Sequence, residues 1–452
     1  MDSKTAIVWF RNDLRLHDNE ALVQAMKIAD NVVPVYVFDP RVLEGKTRIG
    51  FRKTGVFRAN FIIESVHDLR NNLRNRGSDL IVRYGPPEEE IFKLAREVGS
   101  SWVFCNRERT REEVDVQDAL EQNLWTIGQE IFYTRGKMLY YTQDLPFPIT
   151  QTPDIFTQFR KEVEKVVKVR KPLDTPSAIT LYDQTVNDPG RIPKLEDLGL
   201  CSSEIPGPNN FPGGESAGLE RLQYYLWETD LIRDYRETRN GLLGMDYSSK
   251  FSPYLALGCL SPKRIYWEIK KYESERVSNK STYWLIFELM WRDFFRLIAK
   301  KYKEKIFLEG GPKELANPDW IEDPVLFDRW AKGMTGIPFV DANMRELNVT
   351  GFMSNRGRQN VASYLVKDLN LNWQMGAEYF ESLLVDYDPC SNWGNWNYVA
   401  GVGMDPRSDR KFNVIGQGMR YDGQADFIKY WLPELASLDK DVIHDPYKWG
   451  NK

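Results

Sequence analysis

The chain has 452 residues, long enough for two domains or more, and an ordinary globular composition with 42% hydrophobic and 28% charged residues. Its net charge of −4 excludes an overall basic surface for nucleic acid and leaves only a local patch. Cys105, Cys201, Cys259 and Cys390 form no CxxC pair, which argues against a disulfide framework and a zinc site and fits a reducing, cytoplasmic compartment.

The opening MDSKTAIVWFRND has too short an apolar run for a signal peptide. AIVWF (6–10), VVPVYVF (32–38), DLIVRYG (79–85) and SWVFC (101–105) read as strands. Between and after them NEALVQAMKIA, FRANFIIESVHDLRNNLRNRG, PEEEIFKLAREVG and EVDVQDALEQNLW carry helical periods, with Gly77 and Gly99 as stops. This alternation predicts a Rossmann-like α/β domain over residues 1–135, a parallel sheet covered by helices. Ligands of such sheets sit beyond the carboxyl ends of the strands. No nucleotide motif is complete there. GKT (45–47) is half a phosphate loop with Pro40 where a glycine is required, and FRNDLRLHDN follows the first strand in place of GxGxxG.

Residues 136–213 are rich in Pro, Gly and Asp (DLPFPITQTPD, KPLDTPSAIT, NDPGRIPK, EIPGPNNFPGG) and read as a connector with one helix, FTQFRKEVEKVV. Residues 214–452 are helical by period, with no strand run. Their longest apolar stretch, WLIFELMWRDFFRLIA, is broken by Glu288, Arg292, Asp293 and Arg296, so no membrane span is expected. Eleven of the fourteen tryptophans lie at or after Trp227, while histidine occurs only as His17, His67 and His444, so histidine chemistry is not expected in this half.

Four stretches of the helical half carry polar groups in apolar settings. Ser248, Ser249, Lys250 and Ser252 precede Pro253, either as plain caps or as a phosphate cradle with Lys250 as counter-charge. Trp284, Glu288, Trp291 and Phe295 share one helical face, with Glu288 and Arg292 as an i,i+4 pair. A carboxylate among apolar residues must find donors, which reads as a pocket wall. Asn355, Arg358, Gln359 and Ala362 share a face opposite Val361, Leu365 and Leu369, and Arg358 is a candidate partner for Asp386. Asp386 and Asp388 have no histidine or third carboxylate at ligand spacing, so no metal site is expected. Asn392 and Asn395 suit a heterocycle with several polar edges.

VWFRNDLRLHDNEAL, YRETRNGLLGMDYSSKFSPYLALGCLSP, FELMWRDFF, TGFMSNRGRQNVASYLVKDL and DYDPCSNWGNWNYVAGVGMDPRSDRKFN together resemble the photolyase and cryptochrome flavoproteins over nearly the whole chain. SNWGNWNY and Gln359 are similar to the cryptochrome-DASH branch, from which Met404 departs, since that branch usually has Asn there. The resemblance implies an antenna domain followed by an all-helical domain holding a bent FAD. It implies that Tyr235, Ser248, Ser249, Lys250, Phe251 and Ser252 hold the pyrophosphate and ribityl side. Arg292, Asn355 and Arg358 would surround the flavin, with Asp386 and Asp388 at its ring edge and Asn392 at N5. Glu108 resembles the carboxylate that meets a 5,10-methenyltetrahydrofolate antenna. Trp396, Trp373 and Trp320 resemble an electron-transfer triad. Trp291 and Tyr398 resemble the walls of a lesion pocket. Glu288 would bond the lesion bases, Gln359 would lie on the same side, and Arg410 would hold lesion phosphate.

The implied activity is blue-light-driven repair of cyclobutane pyrimidine dimers, preferentially in single-stranded DNA, by a monomer. The alternative is a photoreceptor with a regulatory role. The chain ends soon after FIKYWLPELASL, without the long tail of signalling relatives, which favours repair. Repair of (6-4) photoproducts is not expected, because Ser354 and Arg358 stand where relatives of that kind place a histidine acid.

Overall fold

The protein is described here by a computed structural model covering residues 3–179, 186, 188–201, 211–316, 319–405 and 411–449. Five parallel strands make one sheet in the order β3-β2-β1-β4-β5: β1 (Thr5–Phe10), β2 (Asn31–Phe38), β3 (Ile81–Tyr84), β4 (Trp102–Asn106) and β5 (Glu130–Thr134). Successive side chains of β1 enter two different cores. Ala6, Val8 and Phe10 pack with Leu22 and Leu69, whereas Ile7 and Trp9 pack with Leu94 and Leu120. A strand buried on both faces needs an unbroken apolar run, which is why AIVWF and VVPVYVF do not alternate. Pro34 lies opposite Val8 on β1, and pairing of β2 with β3 begins only at Val35, so its missing N–H falls outside that ladder. β5, EIFYT, is a strand that the sequence reading did not single out. It is an edge strand with exposed and half-buried residues alternating, so its apolar signal is weak.

After Thr134 the described chain continues through the helix Phe156–Val166 into a helical half. There the described residues form helices joined by turns, apart from one isolated bridge, Ile321↔Leu371. The crevice beyond β1 and β4, where a Rossmann sheet would take a nucleotide, is filled by the helical half. The Leu14 amide donates to Leu257 O at 3.1 Å. Buried Arg15 donates to the carbonyls of Gly258, His17, Asp18 and Gly136. Gly258 has φ +68°, and a Cβ there would lie 2.2 Å from Asn12 O, so only glycine permits this docking. Two buried pairs close the seam, His17–Glu215 at 2.5 Å and Lys263–Asp18 at 2.7 Å.

Candidate active site in the helical domain

The helices Ser252–Ala256, Lys280–Tyr302, Asn355–Ser363 and Pro389–Ala400 and the loop before Ser252 surround a cavity with about 330 Å3 of open interior. Its wall brings together Tyr235, Ser248, Ser249, Lys250, Phe251, Ser252, Arg292, Asn355, Arg358, Asp386, Asp388 and Asn392. Glu288, Gln359, Trp396 and Tyr398 line it as well. Glu108, Trp291, Trp373 and Trp320 do not, and Arg410 lies outside the described residues.

The serines do not cap. The N-cap position of Ser252–Ala256 is Phe251, with no side-chain cap bond. The loop is braced instead by Arg221, which donates to the carbonyls of Met245, Ser248 and Ser249. No local pattern signals Arg221, because it reaches the loop from a helix more than twenty residues upstream. Lys250 is 3% exposed, and its ammonium has no hydrogen-bond partner; it lies 3.6 Å from the Tyr247 ring centroid and 4.3 Å from that of Phe352. Glu346, buried behind the cavity, has one unpartnered oxygen, as do Tyr247 (its hydroxyl) and Asp386. Burial pulls Lys250 down to about 7 and pushes Glu346 up to about 8. Buried polar atoms without partners are costly. Phosphate oxygens satisfy a buried ammonium and a hydroxyl, so this donor set fits the pyrophosphate of a dinucleotide.

Arg358, over the same Phe352 ring, donates to Asp386 at 2.8 Å, the expected pair, and to Met353 O at 2.9 Å. Two expectations change. Glu288 and Arg292 do not pair. Glu288 meets Arg239 at 2.7 Å, while Arg292 donates to Lys137 O and Leu255 O at 2.7 and 3.1 Å. Helical spacing brought the two close, but stronger donors and acceptors arrive from other segments. Burial raises the pKa of Glu288 against the opposing charge of Arg239. Glu108 is not a free carboxylate for a folate either. It is 1% exposed, with one oxygen on Lys137 and the other 3.1 Å from Arg296. Burial pushes its carboxyl up, but Lys137 and Arg296 outweigh that and hold it at about 2. Arg296 continues to Asp388 at 2.7 Å, and Asp388 caps Pro389–Ala400 by accepting from the Ser391 amide at 2.8 Å. Asp388 is therefore both on the cavity wall and tied to the α/β domain through Arg296 and Glu108.

Asn392 donates its amide to Ala377 O at 3.0 Å, and Gln359 accepts from Arg356 at 3.1 Å. Trp396 packs against Phe380, with centroids 5.1 Å apart, and sits so close to Gly376 that a Cβ there would lie 2.2 Å from the indole. Trp373 meets Trp393 edge-on at 5.6 Å and donates to Glu309 O at 3.0 Å. Trp320 flanks the bridge Ile321↔Leu371, two positions before Trp373 on the other strand, so all three tryptophans belong to one apolar cluster. Trp291 departs from its expected place. It is half-buried with its ring stacked on Phe156, centroids 3.7 Å apart and planes at 9°, and meets the wall residue Tyr398 edge-on at 6.0 Å.

An α/β sheet docked on a helical domain, with a phosphate-fitting cavity walled by an indole and side-chain amides, is the architecture of the photolyase class. Residues 6–177 match the model of the DNA photolyase family, and residues 284–452 match the FAD binding domain of DNA photolyase. The cryptochrome DASH of Xenopus laevis is 51% identical, covering 99% of this chain and 86% of that protein, and the cryptochrome DASH of Synechocystis sp. is 50% identical, covering 98% and 90%. The crystal structure of a Synechocystis sp. cryptochrome superposes with TM-score 0.94 at 49% identity, covering 99% of this chain and 92% of that one. A class III photolyase of Agrobacterium tumefaciens superposes with TM-score 0.83 at 28% identity, covering 99% and 90%. The chain belongs to the photolyase and cryptochrome family, in its cryptochrome-DASH branch. Among the described residues no helix is long and apolar enough to cross a membrane.

Proposed function

We propose that the protein is a blue-light-driven, FAD-dependent lyase that repairs cyclobutane pyrimidine dimers, preferentially in single-stranded DNA, as a cytoplasmic monomer. The observation that carries this reading is one cavity lined both by the buried, unpartnered ammonium of Lys250 and by the Glu288 carboxyl and the Tyr398 ring.

Lys250 and the segment from Ser248 to Ser252 would hold the FAD pyrophosphate, with Tyr235 beside them. Arg358, held in place by Asp386, would face the isoalloxazine together with Arg292, Asn355 and Asp388, and Asn392 would place its amide at the ring. FAD, when bound and reduced, supplies light-driven electron donation to the dimer. Glu288, whose carboxyl pKa burial raises against the pull of Arg239, would share a proton with a base edge and so stabilise the negative charge that develops there. Tyr398 would stack on a flipped base, with Gln359 and Arg410 as further substrate contacts. A lesion in a single strand avoids the cost of leaving a duplex stack. Trp396, Trp373 and Trp320 would carry an electron inward from the surface, since indole is readily oxidised. A second chromophore, proposed as 5,10-methenyltetrahydrofolate, would need contacts other than a free Glu108; it is identified by extracting purified protein and separating the pigments.

The relatives named cryptochromes favour a second reading, a blue-light photoreceptor with a regulatory role. The deciding experiment illuminates the reduced holoprotein with oligothymidylate carrying one dimer, single-stranded or annealed. Faster restoration of the single strand is expected. No restoration of either substrate overturns the repair reading in favour of the photoreceptor.

A further inference from the structure

Phe156 lies in the connector, outside every stretch that the sequence marks for chemistry, yet it makes the closest ring stack among the described residues. Its plane is 9° from that of Trp291, with centroids 3.7 Å apart. Two rings hold it edge-on, Phe287 at 5.1 Å and 84° and Phe294 at 5.6 Å and 78°. The helix Phe156–Val166 is clamped to the long helix Lys280–Tyr302 on both sides of this stack. Asp154 accepts from Lys301 at 2.6 Å and Tyr302 at 2.8 Å, while Tyr283 links Arg160 at 2.8 Å and Glu164 at 2.7 Å. Phe156 is buried, Trp291 half-buried, and the indole meets Tyr398 on the cavity wall.

A ring stacked face-on at this distance leaves no room for a base on that side of the indole. It also fixes the tilt at which Trp291 supports Tyr398. We infer that Phe156 is a positioning residue for the lesion, acting through Trp291, and that the connector helix Phe156–Val166 is part of the substrate-binding mouth. The inference rests on the repair reading above and extends it to a segment outside the cavity wall.

The test measures dissociation constants, in the dark with oxidised holoprotein, for single-stranded oligothymidylate carrying one dimer. Phe156→Leu keeps an apolar side chain but removes the stack, and Phe156→Tyr keeps the ring. One aromatic pair is worth about fivefold in an equilibrium constant, which bounds how far its loss lets Trp291 leave the position that supports binding. Phe156→Leu is expected to bind about fivefold more weakly, with flavin content, photoreduction and repair yield at saturating substrate unchanged. Phe156→Tyr is expected within about twofold of wild type on the same scale. In a Trp291→Leu background the Phe156→Leu effect should vanish, whereas a general loosening of the fold would persist there. Wild-type affinity in Phe156→Leu, an undiminished effect in the Trp291→Leu background, or weakened binding in Phe156→Tyr equal to that of Phe156→Leu overturns the inference alone. If the wild type itself does not distinguish the dimer strand from an undamaged one, the repair reading falls and takes this inference with it.

Discussion

Asp386 takes one charge-assisted bond from Arg358 and keeps its other oxygen without a partner. Its side chain is 3% exposed but that of Arg358 is 26% exposed, so water compensates part of a broken pair. Asp386→Ala is expected to cost about 1–3 kcal/mol, below the range for fully buried pairs, and to lower flavin occupancy. Urea unfolding and the flavin-to-protein absorbance ratio read both; full occupancy and stability would refute the pairing. Glu288→Ala should retain FAD and photoreduction but lower the quantum yield of dimer repair, by as much as about 3 kcal/mol of charge stabilisation. An unchanged yield on single-stranded dimers would remove Glu288 from the chemistry. Glu346 offers a pH signature. Burial raises its folded pKa from 4.5 to about 8, so the folded state holds a proton that the unfolded state has released. The resulting stability is full below about 4.5 and is lost as pH rises through about 8. Lys250, pulled down to about 7, adds a limb of opposite sign above that pH, so urea midpoints of the flavin-free protein should fall between about pH 5 and about pH 7, and Glu346→Gln should flatten that fall. Equal slopes in the two proteins would show that Glu346 does not carry the proton.

The helix Pro389–Ala400 joins several tasks in one element. Asp388 caps it, Asn392 and Trp396 face the cavity, and Trp393 meets Trp373. Trp396→Phe should slow photoreduction strongly while FAD stays bound; a rate equal to wild type would dismiss the tryptophan triad. Gly376 gives a second approach that leaves every indole in place. A Cβ there would lie 2.2 Å from Trp396, so Gly376→Ala must displace the ring. Overpacking of this kind costs about 1–3 kcal/mol. Lower thermal stability together with slower photoreduction is expected, and an unchanged rate would mean that the ring position does not govern transfer. The helix Lys280–Tyr302 shows how far periodicity reaches. Its 3.6-residue spacing placed Glu288 and Trp291 on one face, but their actual partners, Arg239 and Phe156, come from segments with no helical relation to it.

Across the whole molecule the two halves share one apolar cluster, in which Phe61 meets Tyr254 edge-on at 5.5 Å, and buried charges cross the same seam. Lys263–Asp18 is buried on both sides, and Asp18 also accepts from Ser261. Removing one partner of such a pair strands the other, typically at about 3–5 kcal/mol. Lys263→Ala is expected to lower the unfolding free energy, read by urea titration, by that order, and Asp18→Asn combined with Lys263→Met to recover much of it. A single variant as stable as wild type would mean that water already reaches the pair. Glu108–Arg296–Asp388 runs from β4 to the cavity wall through the same seam, so the docking of the α/β domain and the placement of Asp388 are one arrangement.

Apolar runs and helical periods by themselves determined the α/β half, the helical half and four of the five strands, because burial on both faces of a sheet writes an unbroken signal into β1, β2 and β4. β5 escaped because an exposed edge writes none. The long motifs determined the family and collected most of the cavity wall, since Lys250, Arg358, Asp386 and Asn392 lie in stretches whose composition is unusual for plain core. Apart from Arg358–Asp386, which the sequence already offered, only the tertiary structure decided who partners whom. Arg221 braces the phosphate loop, Arg239 takes Glu288, Arg296 takes both Glu108 and Asp388, and Phe156 takes Trp291. A buried charge binds whichever counter-group the packing of distant elements brings within about 3 Å, and sequence spacing carries no record of that distance.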